Sequence, residues 1–329
     1  MIRKLPKIEL HCHLDGSVRP STMIDLAKKE NIKLPTYDKE NLKTYVQAPK
    51  DCKSLIEYLD CFEIPNKVMQ TKEALKRITF ELFEDASFEN VKYLEVRFAP
   101  MLHTKENLSL QDIIYSVEEG ILKAESMYDI KGNIILGCMR NSNKEDTLKV
   151  IEAGRKFLDS KVVAIDLCGP EEEGFCEKYR ESISLAKEYG YRVTIHAGEA
   201  ASGQNVIDAV NILGTERIGH GINIKDMKEA YDLMKDKNII LEMCPTSNIQ
   251  TKAIDKMSNY PINDFYENNI NVCINTDNRT VSNIELSDEI ESLIDEKVIT
   301  LERYKEMYLK SIDFAFASED TKLWLKNQM

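Results

Sequence analysis

The chain has 329 residues, which is enough for one large domain or two small ones. Its 44 basic and 56 acidic residues give a formal net charge of −12, which argues against a general nucleic-acid or anionic-membrane surface. There is no membrane-spanning apolar stretch and no signal-peptide pattern, and the eight cysteines are dispersed without a CxxC pair. We therefore expect a cytoplasmic protein with reduced thiols that acts on small molecules.

Eight short runs of β-branched and aliphatic residues are separated by segments with helical periodicity. They are Lys7–His13, Val91–Phe98, Asn133–Met139, Val162–Leu167, Arg192–His196, Arg217–His220, Ile239–Cys244 and Asn271–Asn275. Nearly continuous apolar strands suit a parallel sheet covered on both faces, and eight βα units predict an α/β fold of the (β/α)8 TIM barrel type. A doubly wound sheet is the structural alternative.

The connection between the first two runs is the longest, at about 75 residues, too long for a structureless loop. Helical periodicity over Ser21–Asn31, Cys52–Ile64 and Lys72–Glu89 indicates helices, with Ser21 and Thr71 as expected N-caps. This segment, about residues 16–90, is predicted to be a helical insertion over the mouth of the barrel.

The remaining chain contains no repeat, low-complexity tract or flexible linker, so residues 1–329 are predicted to form a single domain. The acidic run Glu171–Glu173 is expected to be a solvated loop. Residues 301–329 are expected to close the barrel as helices.

Five histidines are the most informative feature of the composition. His11 and His13 lie on one face of the first predicted strand, near its C-terminal end, where barrel enzymes build their sites. His196 ends the fifth strand, and Gly198 is expected to break that strand and turn Glu199 over the mouth. A solvated loop position is the open alternative for Glu199. His103 is expected to be structural.

Two further strands end in polar residues. His220 lies between two glycines that let a ligand approach closely, and Asp277 precedes Asn278. A buried aspartate needs a cation nearby, and three imidazoles with one carboxylate suit zinc with room for a water. The fourth strand ends without a lysine that could bridge two metals, which favours a single ion.

Phosphate-binding and other hydrolase patterns are missing. The sequence has no GxGxxG, GxxxxGK[ST], GxSxG or PCxxC.

Six segments together resemble the adenosine deaminase family of the amidohydrolase superfamily, from near the N-terminus to about residue 285. They are LHCHLDGS (10–17), IDLCG (165–169), HAGEA (196–200), RIGHG (217–221), CPTSN (244–248) and NTDN (275–278). The resemblance implies a metal-dependent hydrolase barrel that deaminates adenosine and deoxyadenosine to inosine, deoxyinosine and ammonia in purine salvage.

The same resemblance implies roles for individual residues. One catalytic zinc per chain would be bound by His11, His13, His196 and Asp277. Glu199, His220 and Asp277 would be catalytic: Glu199 as the general acid at the purine N1, with His220 and Asp277 orienting and deprotonating the attacking water. The nucleoside would be bound by His13, Asp15, Gly169 and Asn278.

Two positions bear on the choice of substrate. Asn278 stands where the family commonly has a second aspartate, and its amide could donate to the purine N7. Asp15, expected near the 5′-hydroxyl, would repel a phosphate and so favours a nucleoside over AMP.

Two alternatives stay open. The first is a deaminase of AMP, adenine or a 5′-modified adenosine, and the second is a nucleoside-binding barrel without turnover. A purine nucleoside is the expected partner in either case, with no nucleic acid or membrane. The sequence indicates no oligomeric state.

Overall fold

The computed structural model describes residues 1–329 as eight parallel strands, hydrogen-bonded to one another in chain order. The strands are β1 (Lys7–His13), β2 (Val91–Phe98), β3 (Lys131–Met139), β4 (Val162–Cys168), β5 (Arg192–Ala197), β6 (Arg217–His220), β7 (Ile240–Met243) and β8 (Asn271–Ile274). Beyond β8, the amide of Asp277 donates to the carbonyl of His11, and the amide of His13 donates to the carbonyl of Asp277. The last strand therefore meets the first, which confirms the TIM barrel and excludes the doubly wound order.

Fifteen α-helices surround the barrel. They are α1 (Pro20–Lys29), α2 (Lys39–Val46), α3 (Leu55–Leu59), α4 (Glu63–Val68), α5 (Lys72–Phe88), α6 (Leu110–Met127), α7 (Lys144–Gly154), α8 (Cys176–Glu188), α9 (Gln204–Asp208), α10 (Lys228–Asp236), α11 (Pro245–Gln250), α12 (Ile262–Glu267), α13 (Leu286–Asp295), α14 (Leu301–Phe314) and α15 (Glu319–Lys326). A π-helical segment, Ala209–Leu213, continues α9. None of these helices has both the length and the apolar character needed to cross a bilayer.

The long connection after β1 is helical, as predicted, and contains α1 to α5. Thr71 caps α5 by accepting from the amide of Ala74, 3.2 Å away. The expected cap at Ser21 is wrong: Arg19 is the N-cap and Pro20 takes the first helical position, where its missing N–H is not needed. Helix α2 was not anticipated from the periodicity.

The barrel interior below the mouth contains paired charges. Arg97 donates to Asp166 and Glu242 at 2.9 and 2.6 Å. Arg217 in turn contacts Glu95 and Glu242 at 2.6 and 2.7 Å. All five side chains are fully buried, and such charges are tolerated when each has an opposite partner. This network lies directly beneath the strand ends that carry the sequence motifs.

Candidate active site

A cavity of about 790 Å³ opens at the C-terminal ends of the strands, in the range typical of small-molecule sites. The predicted site residues that line it are His13, Asp15, Gly169, His196, Glu199, His220, Asp277 and Asn278. The remaining one, His11, is fully buried below the cavity floor. The fold thus brings these residues together at one end of the barrel, although His11 and Asn278 are 267 positions apart in the sequence.

Buried carboxylates orient two of the imidazoles. His11 Nδ1 lies 2.8 Å from Glu242 Oε2, and His196 Nδ1 lies 3.0 Å from Asp166 Oδ1. Each ring donates its Nδ1 proton to the carboxylate, which leaves a lone pair on Nε2. This arrangement is typical of metal-binding histidines.

The free Nε2 atoms converge on Asp277. His13 Nε2 lies 3.3 Å from both His196 Nε2 and Asp277 Oδ1, and His11 Nε2 lies 3.4 Å from the same oxygen. In a tetrahedral zinc site with bonds of about 2.0–2.1 Å, neighbouring ligand atoms are about 3.3 Å apart. Buried His11 Nε2 has no hydrogen-bond partner in the protein. The donor set therefore fits a zinc ion.

His220 also reaches this centre, because atoms of His11, His196, His220 and Asp277 lie within 4.8 Å of one another. Its Nδ1, however, lies 3.0 Å from the amide nitrogen of Asn248, whose carbonyl accepts from Tyr260. An amide donor at Nδ1 places the ring proton on Nε2, which then cannot bind a metal. His220 then faces the cavity as a hydrogen-bond donor, whereas His13 Nε2 lies 3.3 Å from Asp277 Oδ1.

Glu199 lies where the turn at Gly198 was expected to place it. Strand β5 ends at Ala197, Gly198 has a φ of +65°, and the Glu199 carboxylate is 3.6 Å from His220 Nε2. Burial, with added repulsion from Asp277, raises the pKa of Glu199 well above its usual value. The raised pKa favours the protonated form of this carboxyl, in which it can act as an acid.

The acidic run after β4 differs from its prediction at one residue. Glu172 and Glu173 are exposed, as expected of a solvated loop. Glu171 instead turns inward, and its carboxylate accepts from the backbone amides of Gly198, Glu199, Ala200 and Ala201. The expectation for Glu171 is wrong because composition cannot show that a loop 27 residues away presents N–H groups to it.

Three of the residues expected to contact substrate lie around the same cavity. Asp15 is almost fully buried, which raises its pKa to about 6. Gly169 has a φ of +87°, and a Cβ there would lie 2.9 Å from the end of Met139. The amide nitrogen of Asn278 donates to the Tyr58 hydroxyl at 3.0 Å, so one of its two N–H groups is engaged.

Sequence reasoning missed the layer of residues behind these side chains. Asp166, Glu242 and Arg97 had a usable signal, since each is an ionisable residue inside an apolar strand. Arg140, which donates to the carbonyls of His196 and Gly169, had no such signal because it follows β3 in a polar turn.

His103 lies outside the cavity, as its structural interpretation predicts. It is fully buried and stacks on Phe98, with ring centroids 5.9 Å apart.

Residues 6–329 of the chain match the family model described as adenosine deaminase. An adenosine deaminase of Clostridium botulinum (strain Okra / Type B1) is 58% identical over 325 residues, covering 99% of this chain and 97% of the relative. One from Shewanella woodyi is 52% identical over 318 residues, covering 97% and 96%.

Solved structures share the fold at lower identity. The adenine deaminase of Arthrobacter aurescens superposes with a TM-score of 0.91 at 25% identity, covering 98% of each chain. An Arabidopsis N6-mAMP deaminase superposes with a TM-score of 0.87 at 27% identity, covering 99% of this chain and 98% of the other. With the family model spanning nearly the whole chain and relatives this similar, the chain belongs to the adenosine deaminase family.

Proposed function

We propose that the chain catalyses the hydrolytic deamination of adenosine and deoxyadenosine to inosine, deoxyinosine and ammonia, a purine-salvage reaction. The observation that carries this proposal is the cavity itself. The Glu199 carboxyl, with a raised pKa, and the His220 imidazole, with a pKa lowered to about 4, face one space large enough for a nucleoside. The side chains proposed to bind the metal lie at the same end of that space.

We assign one zinc ion to His11, His13, His196 and Asp277. The ligand-to-ligand distances of 3.3 to 3.4 Å and the carboxylates behind His11 and His196 support this assignment. Burial lowers the pKa of His13 to about 3, so its ring is neutral and has a lone pair to share. When bound, the ion would lower the pKa of water from 15.7 toward about 7 and so supply a nucleophile at neutral pH.

Glu199 acts as the general acid in this proposal. Its proton passes to N1 of the purine while water attacks C6, so negative charge does not accumulate on the ring. The proton that Asp277 takes from the water then passes to the amino nitrogen, and the C6–N bond of the tetrahedral carbon breaks so that ammonia leaves. As the C6 carbonyl forms, the hydroxyl proton returns to Glu199. The raised pKa of Glu199 supports this role because the acid must hold its proton at neutral pH.

His220 and Asp277 orient the attacking water. The Asn248 contact leaves the His220 proton on Nε2, so His220 donates a hydrogen bond to the attacking oxygen and stabilises its developing charge. Asp277 accepts a proton from the water. Its second oxygen already accepts from the Ser247 hydroxyl at 2.6 Å, which fixes the carboxylate plane.

Three cavity residues, together with the ligand His13, bind the nucleoside. The Gly169 N–H donates to purine N3, since no side chain blocks its approach. The second N–H of Asn278 donates to N7, and Asp15 accepts from the 5′-hydroxyl.

The charge of the cavity favours a nucleoside over a nucleotide. No Lys or Arg is among its 22 lining residues, whereas five are acidic: Asp15, Asp60, Glu63, Glu199 and Asp277. At the Asp15 end of the cavity, a 5′-phosphate would meet a carboxylate and no Lys or Arg. Like charges brought face to face cost several kcal/mol, which corresponds to a discrimination of about 100-fold or more.

Incubation of the pure protein with adenosine, deoxyadenosine, AMP and adenine, with ammonia measured, tests this proposal. We expect release from the two nucleosides and at least about 100-fold lower kcat/KM for AMP. Release from AMP or adenine but not from adenosine would contradict the choice of substrate. No release from any of them, with nucleosides still bound, would favour a binding protein.

An Asp15→Asn variant refines the substrate test. Removing the carboxylate should raise KM for adenosine and reduce the discrimination against AMP. Asp60→Asn, at an exposed carboxylate of the cavity lining, should change either value little.

The proposal also includes the helical insertion and the location. The segment from α3 to α4 supplies eight of the lining residues, from Leu55 to Asn66, and we assign it the role of a lid that excludes water. All eight cysteines are buried and unpaired, which supports a reducing, cytoplasmic location.

A further inference from the structure

The loop that carries Glu199 is held by one carboxylate from a neighbouring loop. Glu171 Oε1 accepts from the amide of Gly198 at 2.7 Å. Its Oε2 accepts from the amides of Glu199, Ala200 and Ala201 at 2.9, 2.8 and 3.0 Å. Four consecutive backbone N–H groups therefore point at a single side chain.

We propose that Glu171 is a positioning residue for the deamination: it fixes the backbone of Gly198–Ala201 so that the Glu199 carboxyl meets the purine ring. This inference rests on the proposed function and adds a residue to its site.

The geometry of the loop explains why an anchor is needed. Four successive N–H groups that point the same way cannot be satisfied by strand pairing, since alternate amides of a strand point in opposite directions. Gly198 begins this turn in the left-handed region, at a φ of +65°. Without an anion in the concavity, these amides would be left unpaired beside a buried acid.

Two other side chains complete the anchor. Asn205 donates from its side-chain amide to Glu171 Oε1 at 2.9 Å, which adds a side-chain hydrogen bond to the same carboxylate. Asn223 holds the carbonyl side of the same loop, donating to Glu199 O at 3.0 Å and Ala201 O at 2.7 Å. Both the N–H groups and two of the carbonyl groups of the loop are thus hydrogen-bonded to side chains.

Glu171 carries its negative charge in this position. Burial alone would raise the pKa of Glu171, but nearby Arg140 and the hydrogen bonds from the loop and Asn205 hold it below its usual value. An ionised carboxylate binds backbone amides more strongly than a neutral amide oxygen does. An isosteric Gln is therefore a poor substitute, because its NH2 group would face N–H donors.

Glu171 does not line the substrate cavity, so its effect must pass through Glu199. A displacement of about 1 Å at a reacting group can reduce the rate by about 100-fold. We therefore expect Glu171→Gln to lower kcat for adenosine by about 10- to 100-fold, with KM and zinc content unchanged.

The neighbouring Glu172 provides a matched control, because its carboxylate is exposed and makes no hydrogen bond. Glu172→Gln should retain the kcat of the unmodified protein. Glu171→Asp keeps the charge, but its shorter side chain cannot reach all four amides. Its kcat should therefore lie between those of Glu171→Gln and Glu172→Gln. It replaces Glu171→Gln in the test if the latter does not fold.

A double substitution separates positioning from general support of the fold. Once Glu199→Gln has removed the positioned acid, adding Glu171→Gln should change the remaining rate less than about twofold. If the two losses multiply, or if Glu171→Gln raises KM with kcat unchanged, the positioning role is overturned. Absence of ammonia release from the unmodified protein and Glu172→Gln would instead overturn the proposed function.

Discussion

The two walls of the cavity are built in different ways. The strand-end wall comprises the cavity-facing residues at the ends of strands β1, β4, β5, β6 and β8: His13, Gly169, His196, Glu199, His220 and Asp277. The lid wall comprises Leu55, Ile56, Leu59 and Phe62 from α3 and the turn after it. The first is mostly buried, with His13 and Gly169 partly exposed, and is held by charged hydrogen bonds. The second is apolar and partly exposed, with Ile56 70% exposed.

This difference indicates that the strand-end wall carries the reacting groups and that the lid wall encloses the substrate. The strand-end wall must hold reacting groups in place, and its paired buried charges provide fixed directions. The lid wall needs only to cover the substrate, and apolar contacts do so without fixed geometry. Substitutions in the first wall should therefore change kcat or metal binding, and those in the second should change KM.

The largest effect is expected for Glu199→Gln. Loss of the general acid should lower kcat for adenosine by about 10²- to 10⁴-fold with zinc content unchanged, measured as ammonia or inosine formation. Glu63→Gln, which alters a carboxylate on the lid side of the cavity, is the control and should stay near full activity. More than a tenth of the original kcat in Glu199→Gln would contradict the acid role.

The next effect concerns the carboxylate behind His196. Asp166→Asn should weaken zinc binding by about 10- to 100-fold, since the ring would lose the acceptor that fixes its tautomer. Competition with a chelator, followed by metal analysis, measures this affinity.

Glu95→Gln is the matched control for Asp166→Asn. Glu95 is equally buried and pairs with Arg217, but it contacts none of the proposed ligands. The Glu95→Gln substitution should lower the stability of the fold without changing its affinity for zinc. Equal losses of affinity in both variants would show that the buried network acts on the metal only through the stability of the fold.

The pH dependence is expected to reflect the strand-end wall. The pKa of Glu199 is raised, so its protonated form, which is the active form in this proposal, persists to higher pH than in a free carboxyl. It is lost as pH rises through that pKa, about tenfold per unit beyond it. The pKa values of His13 and His220 are lowered to about 3 and 4, so these rings stay neutral down to acidic pH.

The kcat for adenosine should therefore fall as rising pH removes the Glu199 proton. A kcat that rises with pH through the neutral range would instead indicate that Glu199 acts in its ionised form.

The smallest effect is expected in the lid wall. Ile56→Ser should raise KM for adenosine about two- to fivefold with kcat unchanged, because little of this exposed side chain is buried against substrate. Tyr45→Ser, on an exposed part of α2 that does not line the cavity, is the control. A fall in kcat without a change in KM would show that the lid wall also positions reacting groups.

The strand-end wall could largely be predicted from the sequence. Parallel strands in a barrel bring their C-terminal ends together, so motifs at those ends, such as HxH at 11–13 and the histidine at 196, must meet. For Glu199, the local signal was the glycine at 198, which marks the break in β5 but left a solvated loop position equally open. The family resemblance was needed to assign its role.

The supporting contacts could not be predicted in the same way. Glu242 pairs with His11, 231 positions away, and Glu171 pairs with amides of a different loop. A sequence shows that a carboxylate is present, but its partner depends on strand register and on the path of each loop. Helix α2 and the true cap of α1 were missed for a more local reason, since short surface helices have weak periodicity.

Metal dependence tests the account most directly. Zinc per chain and ammonia release from adenosine should be measured on the same preparations, before chelation, after chelation and after zinc is restored. We predict about one zinc per chain, loss of activity as the metal is removed, recovery on its return, and no binding of zinc by His11→Ala. Full turnover of adenosine by a preparation free of metal would contradict the central claim.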